Sequence, residues 1–244
     1  MKSIQQLNIK IFADGADING MLEMYRNPLI QGFTTNPTLM RKAGVRNYVA
    51  FAHDILQIIK DRPISFEVFS DDFKEMQHQA LEIASWGKNV YVKIPVMNTK
   101  GFASYDLIRA LAKAGVKQNV TALMTLDQVE QTVSMLKDGP SACISVFAGR
   151  IADTGLDPME IMQKSIEMMQ PFPHLELIWA SPRELLNIFQ ANDIGCHIIT
   201  ATNDILKKLS LVGKNLEEFS LETVKMFFDD AQHAGFTLEK EVVA

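Results

Sequence analysis

Cysteine is scarce in this chain: Cys143 and Cys196 are the two among 244 residues, and neither lies in a CxxC or other metal-ligand spacing. Both sit in apolar segments and read as buried, reduced thiols, which suits a cytoplasmic protein. Long hydrophobic runs are missing as well. No segment approaches the roughly 20 apolar residues that span a bilayer, so no membrane-spanning helix and no membrane partner is expected. The stretch Met1-Lys-Ser-Ile-Gln-Gln-Leu-Asn8 lacks the apolar centre of a secretion signal. Basic charge is thin: the formal net charge is −5, and no Lys/Arg cluster is long enough to grip a phosphate backbone. DNA or RNA is therefore not expected as a partner. Gly/Ser/Pro-rich linkers and low-complexity segments are lacking too, so nothing divides the chain, and residues 1–244 read as a single domain.

What the chain does have is alternation. Short β-like runs at 9–13, 30–34, 64–69, 89–95, 118–123, 142–147, 175–180 and 197–201 are separated by helical patterns, among them 48–60, 73–86, 104–114, 126–136, 158–169 and 182–191. Two helix starts carry a capping residue, then Pro, then Glu: Asp157-Pro-Met-Glu160 and Ser181-Pro-Arg-Glu184. Eight β/α units and a last helix over about 216–235 predict an α/β fold, a closed (β/α)8 TIM barrel with an additional C-terminal helix. An open doubly wound sheet is the alternative, but the GxGxxG that would support it after the first strand is missing.

In such a barrel the loops after the strand C-termini build the active site. The strand ends carry Asp14, Thr34-Thr-Asn-Pro37, Glu67, Lys93, Asn119 with Thr121, Ser145 with Arg150, and Ser181 with Arg183. Polar groups buried inside a barrel cost several kcal/mol unless satisfied. Their gathering at one rim therefore points to an enzyme.

Lys93 is the sharpest of them, a cation inside the strand-like Asn89-Val-Tyr-Val-Lys-Ile-Pro-Val96. Burial disfavours the charged form of an amine, and a neutral amine condenses with a ketone to a Schiff base that can take up electrons from a breaking C–C bond. The plainer reading is a lysine whose head is paired with Glu67 or Asp14. Plain readings exist for the others as well. Glu67 could be only a counter-ion, Asp14 a turn residue, Ser145 a small core residue and Ser181 a helix cap. Asn119 and Thr121, two apart on a strand, face the same way. Arg150 and Arg183, both just beyond strands, could clamp one phosphate or form surface ion pairs.

The segments Gly32-Phe-Thr-Thr-Asn-Pro-Thr38, Val92-Lys-Ile-Pro-Val96, Asn119-Val-Thr-Ala122, Ser145-Val-Phe-Ala-Gly-Arg-Ile151 and Ala180-Ser-Pro-Arg183 resemble, in order, the signatures of the transaldolase family. The length resembles its compact branch, which includes fructose-6-phosphate aldolase. The resemblance implies a Schiff-base lysine at Lys93, a proton-handling acid at Asp14, and a water held by Glu67 and Thr121. It implies that Asn36, Asn119 and Ser145 bind the hydroxyls of a dihydroxyacetone unit, with Phe147 beside them. Arg150, Ser181 and Arg183 would take the distal phosphate of a sugar-phosphate substrate. No cofactor and no metal are implied. The setting it implies is carbohydrate metabolism in the pentose phosphate pathway, and a homo-oligomer is implied because related short proteins form rings through the last helix. Two positions choose the branch: the aldolases carry glutamine where this chain has Glu67 and tyrosine where it has Phe147, so the transferase is expected first and the aldolase second. Val146 and Pro182 depart from the pattern, standing where proline and an aromatic residue are usual.

That last helix carries an apolar stripe of Phe219, Val224, Phe227, Phe228 and Ala231 at helical spacing. It is expected either to seal its own barrel or to dock on a neighbour.

Overall fold

The computed structural model describes residues 3–238. Its centre is a closed barrel of parallel strands in sequence order: β1 Lys10–Asp14, β2 Ile30–Thr34, β3 Ile64–Glu67, β4 Val90–Pro95, β5 Gln118–Leu123, β6 Ala142–Val146, β7 Leu175–Trp179 and β8 Ile198–Thr202. The barrel closes where β1 pairs with β8. Around it run α1 Ile18–Arg26, α2 Pro37–Lys42, α3 Tyr48–Ile58, α4 Phe73–Ser85, α5 Tyr105–Lys113, α6 Leu126–Leu136, α7 Ala148–Asp153, α8 Met159–Met169, α9 Leu186–Asp193 and α10 Asn203–Lys207, followed by α11 Leu216–Ala234. This is the expected TIM barrel with its C-terminal helix.

Local chemistry explains most of the boundaries. Asp17, Asn47, Asp72 and Asn215 each accept a backbone N–H in the first turn of α1, α3, α4 and α11. Thr125 and Gln128 form a reciprocal capping box on α6. Period-2 alternation then divides each strand between two cores. Outward residues such as Phe33, Phe66, Val92, Ile94, Val120 and Leu177 meet the helices in the main core. Inward, Phe12, Cys143, Ile178, Ala180 and Ile198 form a small apolar cluster with Tyr91 and Phe147 against it. Each such side chain, fully buried, contributes on the order of 2 kcal/mol. Gly32 belongs to this inner packing: a Cβ there would lie 2.5 Å from the Phe12 ring, so glycine is what admits the phenyl group. Both cysteines are buried and free, and burial pushes the Cys196 thiol up to about 12.

One helix start differs from expectation. The Ser181-Pro-Arg-Glu184 box does not cap a helix, because α9 begins at Leu186. Ser181 adopts φ 59°, a left-handed conformation, and Asn187 Oδ1 instead accepts the N–H groups of Arg183 and Glu184. The backbone N–H groups just after Ser181 are thus already taken up by an internal side-chain carbonyl. Asp157 does serve its helix, accepting from Met159 N at 2.9 Å.

Among the described residues no helix is long and apolar enough to cross a membrane. α11 does not seal the barrel: none of its residues is buried, and Phe227 and Phe228 are each 63% exposed.

Candidate active site

At the C-terminal end of the barrel lies a cavity of about 480 Å³, lined from nearly every strand. Asp14, Asn36, Glu67, Lys93, Asn119, Thr121, Ser145, Phe147, Arg150 and Ser181 all reach it, together with Thr34, Lys42 and Thr200. Polar ends on adjacent strands converge, as expected, because the parallel sheet closes on itself.

Lys93 is 5% exposed. Its Nζ lies 3.1 Å from Glu67 Oε2 and donates to Thr35 O at 3.0 Å. Register makes the ion pair, since Glu67 on β3 stands beside Lys93 on β4, with Asn119 next to it on β5. The two readings of this lysine therefore meet in one geometry: the amine is kept from bulk water, and it rests against a carboxylate. Glu67 is itself steadied by Tyr48, whose hydroxyl donates to the Glu67 carbonyl at 2.8 Å. Nothing in the sequence marked Tyr48 for this, as the contact depends on how α3 packs over β3.

Every letter of the Thr-Thr-Asn-Pro segment has a task. The Thr34 hydroxyl donates to Asp14 Oδ1 at 2.7 Å, and Thr35 supplies the carbonyl that receives Lys93. The Asn36 Oδ1 caps α2 by accepting from Leu39 N, which leaves its NH₂ group for the cavity. Pro37 occupies the first helical turn, where its missing N–H costs nothing. Asp14 is thus no turn residue; Asp17 caps the following helix. Burial pushes the Asp14 carboxyl above its ordinary range, the Lys93 charge and the Thr34 hydrogen bond pull it back, and Glu67 adds to the rise.

On the opposite wall Ser145 Oγ donates to Asn119 Oδ1 at 2.7 Å, and Asn119 Nδ2 donates to Ser65 Oγ at 3.0 Å. Thr121 is different: its hydroxyl is buried with no protein partner. The chain breaks register just beyond it, where Ala122 takes φ 66°. Non-glycine residues seldom hold a left-handed φ, and the two that do so among the described residues, Ala122 and Ser181, both line this cavity.

The two arginines both act on Asp153 but line different cavities. Arg150 lines the cavity, its guanidinium carbon 5.8 Å from the Phe147 ring centre. Arg183 turns away: Nε and Nη2 bind Asp153, and Nη1 donates to Ser181 O and Oγ. It lines a neighbouring cavity of about 290 Å³ with Asp14, Thr200, Thr202 and Asp204. Lys42 is the cation that the sequence reading passed over, a lysine at the end of a short helix with no pattern to distinguish it. Thr200 was passed over for a similar reason, since an isolated threonine is an ordinary strand residue.

Gly149 permits the turn below Arg150. A Cβ there would lie 1.6 Å from the Ser181 carbonyl oxygen, a backbone atom that cannot give way. Gly149→Ala is therefore expected to cost on the order of 3 kcal/mol, read as a lower midpoint in urea unfolding.

The sequence pattern of the Transaldolase/Fructose-6-phosphate aldolase family matches residues 11–243. The chain belongs to that family. A probable transaldolase of Thermoanaerobacter sp. (strain X514) is 32% identical over 231 residues, covering 94% of this chain and 100% of the relative. A probable transaldolase of Streptococcus agalactiae serotype V is 34% identical over 215 residues, covering 86% and 95%. Among solved structures, a dihydrodipicolinate synthase of Rhodopseudomonas palustris superposes with a TM-score of 0.57 at 14% identity, covering 94% of this chain and 81% of that one. KGPDC from Streptococcus mutans gives 0.57 at 12%, covering 83% and 91%. At those identities the structural likeness speaks for the barrel alone. Membership in the transaldolase/aldolase family, by contrast, rests on most of the chain's sequence. Among the described residues no group of three or more His, Cys, Asp or Glu side chains is placed to hold a metal ion.

Proposed function

We propose that this protein is a transaldolase that moves a dihydroxyacetone unit from fructose 6-phosphate or sedoheptulose 7-phosphate to an aldose phosphate such as erythrose 4-phosphate, through a Schiff base on Lys93. The observation that carries the reading is the Lys93 amine, buried at the base of a polar cavity and flanked by two carboxyl groups.

The ammonium must first lose a proton, and in this mechanism the Glu67 carboxylate, 3.1 Å away, receives it. The free amine adds to the ketone carbon, and loss of water leaves a protonated imine. Glu67 and the unpartnered Thr121 hydroxyl hold a water between them for those proton transfers. Asp14 then takes the proton of the hydroxyl next to the scissile bond. The C–C electrons move into the imine, which becomes an enamine, and the shortened aldose phosphate leaves. Attack of the enamine on the acceptor aldehyde reverses the sequence, Asp14 returns its proton, and hydrolysis frees the product and Lys93. Asn36, Asn119 and Ser145 contact the hydroxyls of the bound unit. Arg150 and Ser181 hold the distal phosphate, with Lys42 at the cavity wall and Arg183 available once it exchanges Asp153 for the substrate anion. A family member releasing free dihydroxyacetone is the second reading. Glu67 and Phe147, at positions where the aldolases carry an amide and a phenol, favour transfer.

The test is borohydride reduction with fructose 6-phosphate, followed by peptide mass mapping. Reduced three-carbon adduct on Lys93 is expected, and its absence would refute the mechanism. Turnover that needs an added aldose phosphate marks a transferase, whereas equal turnover without one marks an aldolase.

A second copy of the chain is the proposed cover for α11, whose Leu216, Val224, Phe227 and Phe228 form an exposed apolar stripe too large for a lone surface helix. Light scattering on the eluting protein is expected to give a multiple of the 27.4 kDa chain mass. Joint Phe227→Glu and Phe228→Glu substitution should return it to monomer; an unchanged mass would mean the stripe has another purpose. Residence in the cytoplasm and work in the pentose phosphate pathway complete the proposed setting.

A further inference from the structure

We propose that Thr200 is a positioning residue that acts on Asp14 through the hydroxyl of Thr34. The inference rests on the reading of Asp14 as the proton-handling acid, and it concerns a residue two strands away from Thr34.

A threonine hydroxyl has one hydrogen to donate and lone pairs to accept with. An ionised Asp14 can only accept, so Thr34 commits its hydrogen to Asp14 Oδ1 at 2.7 Å. The Thr34 oxygen also lies 2.5 Å from Thr200 Oγ1. With Thr34 already donating elsewhere, Thr200 must be the donor in that contact. The result is a directed chain, Thr200 to Thr34 to Asp14. Each donor polarises the next bond, so the carboxylate end is stabilised beyond what Thr34 alone provides.

The setting makes this order hard to reverse. Thr200 is buried on β8, Thr34 is buried on β2, and β1 with Asp14 lies between them. The hydroxyls meet inside the barrel because alternation turns Thr34, Asp14 and Thr200 inward while Phe33, Ala13, Ile199 and Ala201 face the helices. No other hydrogen bond engages the Thr200 hydroxyl among the described residues. A core threonine kept merely for shape would pack equally well as valine. Here the hydroxyl has one partner, and that partner holds the catalytic acid.

Asp14 faces other charges: Glu67 from β3 and Lys93 from β4, with Arg183 and Asp204 around the adjoining cavity. All four stay in place when Thr200 changes, so a comparison of variants isolates the hydroxyl. Removing the donor weakens the bond to the carboxylate and favours its protonated form. The Asp14 midpoint, already raised by burial, should therefore move further up.

The experiment pairs a ¹³C-carboxyl NMR titration of Asp14, run without substrate, with steady-state transfer kinetics. Thr200→Val is expected to raise the Asp14 midpoint and to lower kcat about three- to tenfold, the loss of one buried hydrogen bond. KM should stay within about twofold, because Thr200 acts on the acid and not on substrate binding. Thr200→Ser keeps the donor and is expected to retain both wild-type values. An unmoved midpoint in Thr200→Val overturns the proposal, as does a moved midpoint with unchanged kcat. Equal impairment in the serine and valine variants also overturns it, since that would show a packing effect. The titration is independent of any reaction, so failure of the transaldolase reading would show in borohydride trapping and not in this measurement.

Discussion

Lys93→Met is expected to abolish transfer, lowering kcat/KM by at least about 10⁴-fold, the scale seen when a covalent nucleophile is removed. Methionine nearly matches the length of the lysine stem and suits the apolar wall of β4, so the barrel should still fold. What disappears is the amine that attacks the ketone. Glu67, Asp14 and the hydroxyl-binding wall remain, and a general acid–base site without its nucleophile cannot make the imine. Reduction with borohydride should leave the variant unlabelled under conditions that label the wild type. Because Glu67 loses the cation 3.1 Å away, its carboxylate is left without its ion-pair partner and some stability should be lost as well. Retained transfer in Lys93→Met would remove the foundation of the proposed chemistry, whatever the fate of the other residues.

Asp14→Asn is expected to lower kcat about 10²- to 10⁴-fold while making the protein more heat-stable at neutral pH. The first effect follows from losing the group that takes and returns the hydroxyl proton. The second follows from burial, which pushes the carboxyl above its usual 3.8 despite the pull of Lys93 and Thr34. A carboxyl that holds its proton more tightly in the folded state adds stability below the unfolded value, and that contribution is lost as pH rises through the folded one. At pH 8 the ionised Asp14 is therefore a cost to folding, which a neutral amide does not bear. The Tm of the variant should exceed that of the wild type at pH 8, and the gap should close towards pH 4. A parallel shift at both values would contradict the account. In the wild type the same raised proton affinity places the acid limb of kcat/KM above the ordinary carboxylate range, and that limb should vanish from the residual activity of Asp14→Asn.

The two variants separate functions that share one small space. In the proposed mechanism Lys93 provides the bond, and Asp14 the proton. Strain at Ala122 and Ser181 belongs to the same trade, since left-handed backbone at non-glycine residues is unfavourable in isolation and is held here by the sheet around it. Active sites commonly give up stability in this way.

Much of the architecture was legible from residue order. Apolar runs of strand length alternating with amphipathic helical patterns are enough to imply parallel β/α units, and the number of units suggests closure. The polar strand ends were legible too, because a lysine or glutamate inside an apolar run violates the pattern around it. Ser181 shows where such reasoning stops: its sequence context reads as a capping box, yet a left-handed φ and the reach of Asn187 from the next helix prevail. Arg183 shows the same limit, since its four hydrogen bonds to Asp153 and Ser181 depend on α7 lying beside the β7–α9 loop.

By itself, then, the order of residues determined the barrel and which polar residues stand at its strand ends, a lysine inside an apolar strand among them. Those are properties of spacing and hydropathy, which act between neighbours along the chain; the role of that lysine was implied only by the family resemblance. Only the tertiary structure decided that Glu67 would be the carboxylate against Lys93, that Thr200 would reach Thr34 across β1, and that one arginine would face the cavity while the other turned aside. Such pairings follow from strand register and barrel closure, where residues far apart in sequence meet at hydrogen-bonding distance, and no local signal carries that information.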